Sequence, residues 1–160
     1  MSIKLVCGYD FKDEIKVLFN EYTNYLVEGD NKFKEYLEIQ KYDNEMEHLE
    51  DKYGMPYGRL YLAFCENQVA GCIALRKIND TQCEMKRLYV RPEFRGKGIG
   101  KTLAQRVVTD AKEIGYEQML LDTLPFLEKA IKMYKQMGFY KIDCYNNSPM
   151  DNSIYFKLDL

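Results

Sequence analysis

The sequence predicts a mixed α/β domain, a single mixed sheet with helices packed on it, and three observations predict that class. Apolar residues switch repeatedly between alternation by two and helical spacing, giving seven strand-like runs interleaved with helix-like ones. A glycine-rich stretch, Arg95-Gly96-Lys97-Gly98-Ile99-Gly100-Lys101-Thr102, lies between a strand-like run ending at Val90 and a helix-like run beginning near Ile99. With 160 residues, 46% of them hydrophobic and 14% aromatic, and with no internal repeat, low-complexity segment or linker, residues 1–160 are expected to form one domain around one core.

The elements follow in order. Ile3 to Gly8 reads as a strand; from Asp10, the expected cap, apolar residues recur at Phe11, Ile15, Leu18, Phe19, Tyr22 and Leu26, the spacing of an amphipathic helix. Residues 31–51 are rich in Glu, Lys and Tyr with weaker periodicity, and Gly54, Pro56 and Gly58 break the chain before strands at Arg59–Cys65 and Val69–Lys77. Glu66-Asn67-Gln68 is short enough to join those two as a hairpin. Gln82–Val90 is the next strand, Ile99–Ile114 a helix stopped by Gly115, and Gln118–Thr123 a strand. Leu127–Met137 is a helix stopped by Gly138, followed by strands at Phe139–Cys144 and Ile154–Leu160.

Three glycines in five residues let the backbone curl until several N–H groups point inward, and the following helix adds its positive end to the same spot. Such a loop cradles a phosphate or pyrophosphate. A dinucleotide fold requires G-x-G-x-x-G, whereas these glycines run G-x-G-x-G, and only Asp122 offers itself as the acidic ribose partner. A nucleotide-hydrolase loop requires G-x-x-x-x-G-K-[ST]; Gly100-Lys101-Thr102 supplies its tail, but Arg95 occupies the first glycine position.

The pattern that fits is R/Q-x-x-G-x-G/A at Arg95, Gly98 and Gly100, which resembles the acyl-CoA pyrophosphate loop of the GNAT N-acetyltransferase superfamily. Residues 83–90, running from Cys83-Glu84 to Tyr89-Val90 and followed by Arg91-Pro92, are similar to that family's fourth strand. Met133-Tyr134-Lys135-Gln136-Met137-Gly138-Phe139 is similar to its L-Y-x-x-x-G-F segment. The resemblance implies a twisted, mostly antiparallel sheet of six to seven strands flanked by about four helices. It also implies acetyl-CoA as co-substrate, with direct transfer of the acetyl group to a primary amine.

Under that resemblance, Arg95, Gly96, Lys97, Gly98, Ile99, Gly100, Lys101 and Thr102 hold the CoA pyrophosphate, chiefly through backbone N–H groups. Leu88, Tyr89 and Val90 offer strand backbone to the pantetheine where the fourth and fifth strands splay, a form of strand addition. Tyr134 is the expected general acid, because a phenol with an ordinary pKa near 10 can protonate a leaving thiolate; the alternative is a tyrosine packing a helix face. Glu84 aligns with the position of a general base, acting directly or through a water. By strand alternation it shares a face with Lys86, Leu88 and Val90, and the alternative is a carboxylate paired with Lys86 or another cation. The family often has Asn where this chain has Leu127, so Asp122-Thr123-Leu124-Pro125 must arrange the CoA arm differently.

Composition narrows the partners. A net charge of −2 with no dense block of Lys and Arg lacks the footprint of a nucleic-acid binder. One histidine, His48, and five cysteines without a C-x-x-C pair give no metal site, and the cysteines read as small buried hydrophobes in a reducing compartment. No uncharged stretch approaches a membrane span and no leader pattern opens the chain, so a cytoplasmic protein is expected. The acceptor side falls to the first helices and the Gly54–Gly58 turn. There Glu21, Glu28, Asp30, Glu35 and Glu38 with Tyr22, Tyr25 and Tyr36 offer an attraction for a small cationic amine, or merely a solvated face. A metabolite and a peptide amine are equally compatible, homodimerisation is left open, and the reading of a different class is a non-catalytic acyl-CoA-binding module.

Overall fold

The computed structural model describes residues 2–160. Seven strands form one sheet in the order β1-β2-β3-β4-β5-β7-β6. Strands β1 (Ile3–Cys7), β2 (Arg59–Cys65), β3 (Gln68–Lys77) and β4 (Gln82–Val90) make an antiparallel run. Helix α5 (Ile99–Ile114) then carries the chain back to β5 (Gln118–Thr123), which lies parallel to β4. Strand β7 (Ile154–Asp159) inserts antiparallel between β5 and the short β6 (Tyr140–Ile142). The remaining helices are α1 (Lys12–Gly29), α2 (Phe33–Ile39), α3 (Tyr42–Glu47), α4 (Leu49–Tyr53) and α6 (Glu128–Gln136).

The expected mixed sheet is present with seven strands, mostly antiparallel, and the hairpin between β2 and β3 is tighter than expected. Glu66 and Asn67 alone turn the chain, both at positive φ (50° and 65°), the conformation a two-residue hairpin of matching twist requires. Six helices replace the expected four, because residues 31–57 fold as three short ones. Asp10 does not cap α1: it closes a 3-10 turn, Gly8–Asp10, and Phe11 takes the cap position without a side-chain bond.

Each sheet face buries its own layer. Ile99, Leu103, Ala104, Val107 and Ala111 recur along one stripe of α5 and pack with Ile73, Leu75, Cys83, Met85 and Met119, joined from α6 by Tyr134. On the other face Ile15, Leu18 and Phe19 of α1 meet Leu60, Leu62, Cys72 and Ala74. These α1 side chains are 0% exposed, and burial of each contributes about 2 kcal/mol. Within the apolar stripe of α5, Asp110 is buried but accepts from the Tyr61 hydroxyl and faces Arg59 and Arg106, so its charge is compensated. Cys65, Cys72 and Cys83 are buried and Cys7 and Cys144 exposed, all as free thiols. Among the described residues no helix is long and apolar enough to cross a membrane.

Candidate active site

Two irregularities in β4 open the site. Parallel pairing with β5 covers only Gln82, Cys83 and Glu84, opposite Gln118, Met119 and Leu120, so the strands part beyond that point. Arg87 takes φ 58°, and the register with β3 slips between Cys72 and Ala74, the mark of a bulge. The bulge inverts the side-chain parity: Leu88 and Val90 pack on the α5 layer with Cys83 and Met85, whereas Tyr89 joins the α1 layer. Strict alternation therefore fails, and Glu84 and Lys86 do not share a face with Leu88 and Val90.

Beside the splay, α5 begins at Ile99 with Gly98 as its left-handed cap. Gly96 and Gly98 have φ +80° and +82°, a region that penalises any side chain, and an added Cβ at either would meet nothing within 4 Å. The loop is an open concavity rather than a packed turn. The N–H groups of residues 96–101 donate to no backbone carbonyl among the described residues, and the positive end of a 16-residue helix points at the same place. Thr102 turns its hydroxyl back to the Gly98 carbonyl (2.8 Å), bracing the first turn. Arg95 donates from Nε to the Val90 carbonyl (3.0 Å), and its guanidinium lies 5.4 Å from the centre of the Tyr25 ring. Lys97 and Lys101 are exposed.

From this cradle a groove of about 530 Å³ runs between β4 and α6, lined by Leu88, Tyr89, Val90, Gly96, Gly98, Ile99, Gly100 and Lys101 and floored at its far end by Tyr134. A smaller inner pocket of about 40 Å³ continues from it, and Tyr22, Leu88, Leu127 and Tyr134 line both. Tyr134 thus stands at the junction. Its ring packs on Phe139 and Phe156, burial pushes its phenol well above the ordinary value, and its hydroxyl bonds to no group among the described residues. It is protonated at neutral pH and has a hydrogen to donate into the junction.

The inner pocket has a charged wall. Glu84, 2% exposed, lies behind it and accepts from Arg76 Nε (2.6 Å) and the Tyr145 hydroxyl. Burial opposes its charge, but Lys86 and Arg76 outweigh that and hold its carboxyl below the usual range. Arg87, fully within the protein, forms a two-point pair with Glu45 (both 3.0 Å) and donates to Gln40 Oε1 (2.8 Å), while Lys52 also reaches Glu45 (2.8 Å). Asp122 accepts from the Tyr36 hydroxyl and from Asn146 Nδ2 (3.0 Å). Lys86 lines the pocket, and burial lowers its ammonium to about 8.

Of the predicted loop residues, Arg95, Gly96, Gly98, Ile99, Gly100 and Lys101 line one groove with Leu88, Tyr89, Val90 and Tyr134, whereas Lys97, Thr102 and Glu84 lie outside its lining. Of the acidic acceptor-side residues, Glu21 pairs with Arg91 (2.8 Å), and Glu28, Asp30, Glu35 and Glu38 line neither cavity. Leu127 lines both cavities, and Gln40, Arg87 and Asp122 join the site without having been singled out as acceptor-side groups. In the sequence Leu127 stood out as a departure from the family pattern, and Asp122 as the acidic residue a dinucleotide loop would pair with a ribose, which is other chemistry.

A family model described as the acetyltransferase (GNAT) family matches residues 18–139. An uncharacterised N-acetyltransferase of Schizosaccharomyces pombe is 36% identical over 92% of this chain and 88% of its own. One of Dictyostelium discoideum is 32% identical over 98% and 97%. Among solved structures, an acetyltransferase from Streptococcus agalactiae superposes with a TM-score of 0.77 at 22% identity, over 99% of this chain and 98% of that one. A GNAT family acetyltransferase from Elizabethkingia anophelis with acetyl-CoA bound does so with 0.56 at 25% identity, over 64% and 76%. Because the matched span takes in the splayed strands, the glycine cradle and the buried tyrosine at their junction, the chain belongs to the acetyltransferase (GNAT) family.

Proposed function

We propose that the protein is an acetyl-CoA-dependent N-acetyltransferase that passes the acetyl group directly to the primary amine of a small-molecule or peptide acceptor within a ternary complex. One observation carries this reading: a cradle of unbonded N–H groups opens into a groove that follows an unpaired strand flank and ends on a protonated, unbonded tyrosine. The acetyl-CoA held by the Elizabethkingia anophelis protein supports the choice of donor.

The residues present fit that donor. N–H groups of residues 96–101, with Lys97 and Lys101, hold the pyrophosphate; Arg95 and the Thr102 hydroxyl brace the loop that presents them. The open flank of Leu88, Tyr89 and Val90 receives the pantetheine as an added strand. Acetyl-CoA supplies a thioester whose carbonyl an amine attacks, with departure of the thiolate. Tyr134 Oη gives its proton to the departing sulfur and regains one from the acylated nitrogen, which must shed its second proton as the amide forms. Asp122, on the inner pocket wall, draws the ammonium form of the acceptor, whose proton leaves through water. Glu84 acts at one remove, fixing Arg76, Tyr145 and the field at Lys86. Transfer without a covalent enzyme intermediate fits two cavities lined by no cysteine, thiols at Cys72 and Cys83 whose ionisation burial opposes, and a lone His48 on the surface.

Calorimetric titration with acetyl-CoA, CoA and ATP tests the reading. The expected result is a dissociation constant below about 1 mM for acetyl-CoA and no binding of ATP. A folded protein that binds neither CoA species refutes it.

A further inference from the structure

We propose that the acceptor carries a carboxylate beside its amine, as a free amino acid does, and that Lys86 Nζ and Gln40 Nε2 receive that carboxylate in the inner pocket. The proposal rests on the acetyltransferase reading above and names the acceptor class for the same site.

Lys86 is the observation that points there. It is 8% exposed, yet it forms no ion pair or hydrogen bond among the described residues. Every other cation around the pocket is matched: Arg87 and Lys52 by Glu45, and Arg76 by Glu84. The carboxylates within reach of its field are engaged elsewhere, Glu84 with Arg76 and Tyr145, and Asp122 with Tyr36 and Asn146. Four cations therefore face three carboxylates, which leaves one positive charge in surplus. An unpartnered buried ammonium is costly, and an anionic ligand removes that cost. Although burial lowers Lys86 to about 8, it remains mostly protonated at neutral pH.

Gln40 is the second, independent observation. Arg87 can only donate, so its 2.8 Å bond to Gln40 Oε1 fixes which way the amide faces. The Nε2 end is buried without a hydrogen-bond partner, a deficit that native proteins rarely carry without reason. Gln40 and Lys86 line the same pocket as Tyr134 and Leu88. Its volume of about 40 Å³ holds roughly three water-sized groups, the size of a carboxylate. Asp122 on the same wall supplies the opposite charge for the amine, so paired opposite charges match a zwitterion. The exposed acidic residues of α1 and α2, which would favour a purely cationic acceptor, stand outside the pocket.

The test offers the common L-amino acids, β-alanine and 4-aminobutyrate, and for each the corresponding carboxamide, to the full protein with acetyl-CoA, reading release of free thiol. Carboxylates are expected to exceed their carboxamides by about tenfold or more in kcat/KM. Lys86→Met is expected to raise KM for the carboxylate acceptors about tenfold or more, with the affinity for acetyl-CoA, measured by calorimetry on the same sample, unchanged. Gln40→Glu keeps the bond to Arg87 but replaces the orphan donor by an acceptor, and moves KM the same way. If acetyl-CoA binds but carboxamides serve as well as acids, if no amino-carboxylate is turned over, or if both variants leave KM unchanged, the proposal is overturned while the acetyltransferase reading stands. Absence of acetyl-CoA binding overturns both.

Discussion

Glu45→Gln removes one negative charge from the most completely buried ion pair among the described residues, and its cost can be worked from the structure. Glu45 is 4% exposed and takes two bonds from Arg87 and one from Lys52. Burial opposes its charge, but these partners win and its carboxyl falls from 4.5 to about 2. A displacement of that size corresponds to about 3 kcal/mol of stability, close to the roughly 3–5 kcal/mol typical when one partner of a buried pair is removed. Because the folded value lies below the unfolded one, this contribution is fully present above about pH 5 and is lost as pH falls towards 2. Gln cannot titrate. Urea unfolding of both proteins at pH 7 should therefore differ by about 3 kcal/mol, and the gap should shrink to less than half by pH 3. A gap below about 0.5 kcal/mol at pH 7, or one that persists unchanged at pH 3, would refute the account of Glu45 as a charge held ionised by Arg87 and Lys52.

Three further changes probe other parts of the molecule. Tyr134→Phe should lower kcat by about a hundredfold while leaving acetyl-CoA affinity within about twofold, read by thiol release and calorimetry; an unchanged kcat would reduce the tyrosine to packing. Gly98→Ala places a side chain at φ +82° facing the cradle. It should cost about 1–2 kcal/mol of stability in a thermal melt and weaken acetyl-CoA binding by about tenfold or more, so unaltered affinity would mean that the cradle is not the phosphate site. Phe19→Ala empties a 0% exposed position edge-on to Tyr53 and should destabilise by about 3–5 kcal/mol in urea, whereas a loss under 1 would show that the α1 layer is not packed as described.

What was legible in the sequence was what short-range chemistry determines. Strand alternation located all seven strands, Gly115 and Gly138 marked the two helix ends where φ is positive, and the glycine triplet marked the cradle. The bulge at Arg87 was not legible, because an arginine at φ 58° leaves no local signal and is held there by Glu45, 42 residues earlier. That one irregularity overturned the face assigned to Glu84. Residues 31–57 were opaque for a related reason. Their helices are too short to show a clear period, and Glu45 and Tyr53 are fixed by β4 and α1 rather than by their own neighbours. Asp10 failed as a cap because a 3-10 turn claimed it first. The inner pocket, assembled from α1, α2, β4, β5 and α6, has no contiguous signature at all.

The seam between β4 and β5, only three residue pairs long, makes the sheet a zipper stopped partway. On one flank four strands pair antiparallel, β2, β3 and β4 joined by hairpins, on the other β5, β7 and β6 form their own patch, and α5 bridges them. Under the proposed function, a donor lying along the open flank would add missing rungs and so become part of the wall against which the acceptor sits. The kinetic pattern expected under that function is ordered entry, donor before acceptor, with the spent CoA leaving last. The backbone amides of residues 85–90 are the natural reporters of that order, since their exchange with solvent slows when the zipper closes and is indifferent to whatever arrives afterwards.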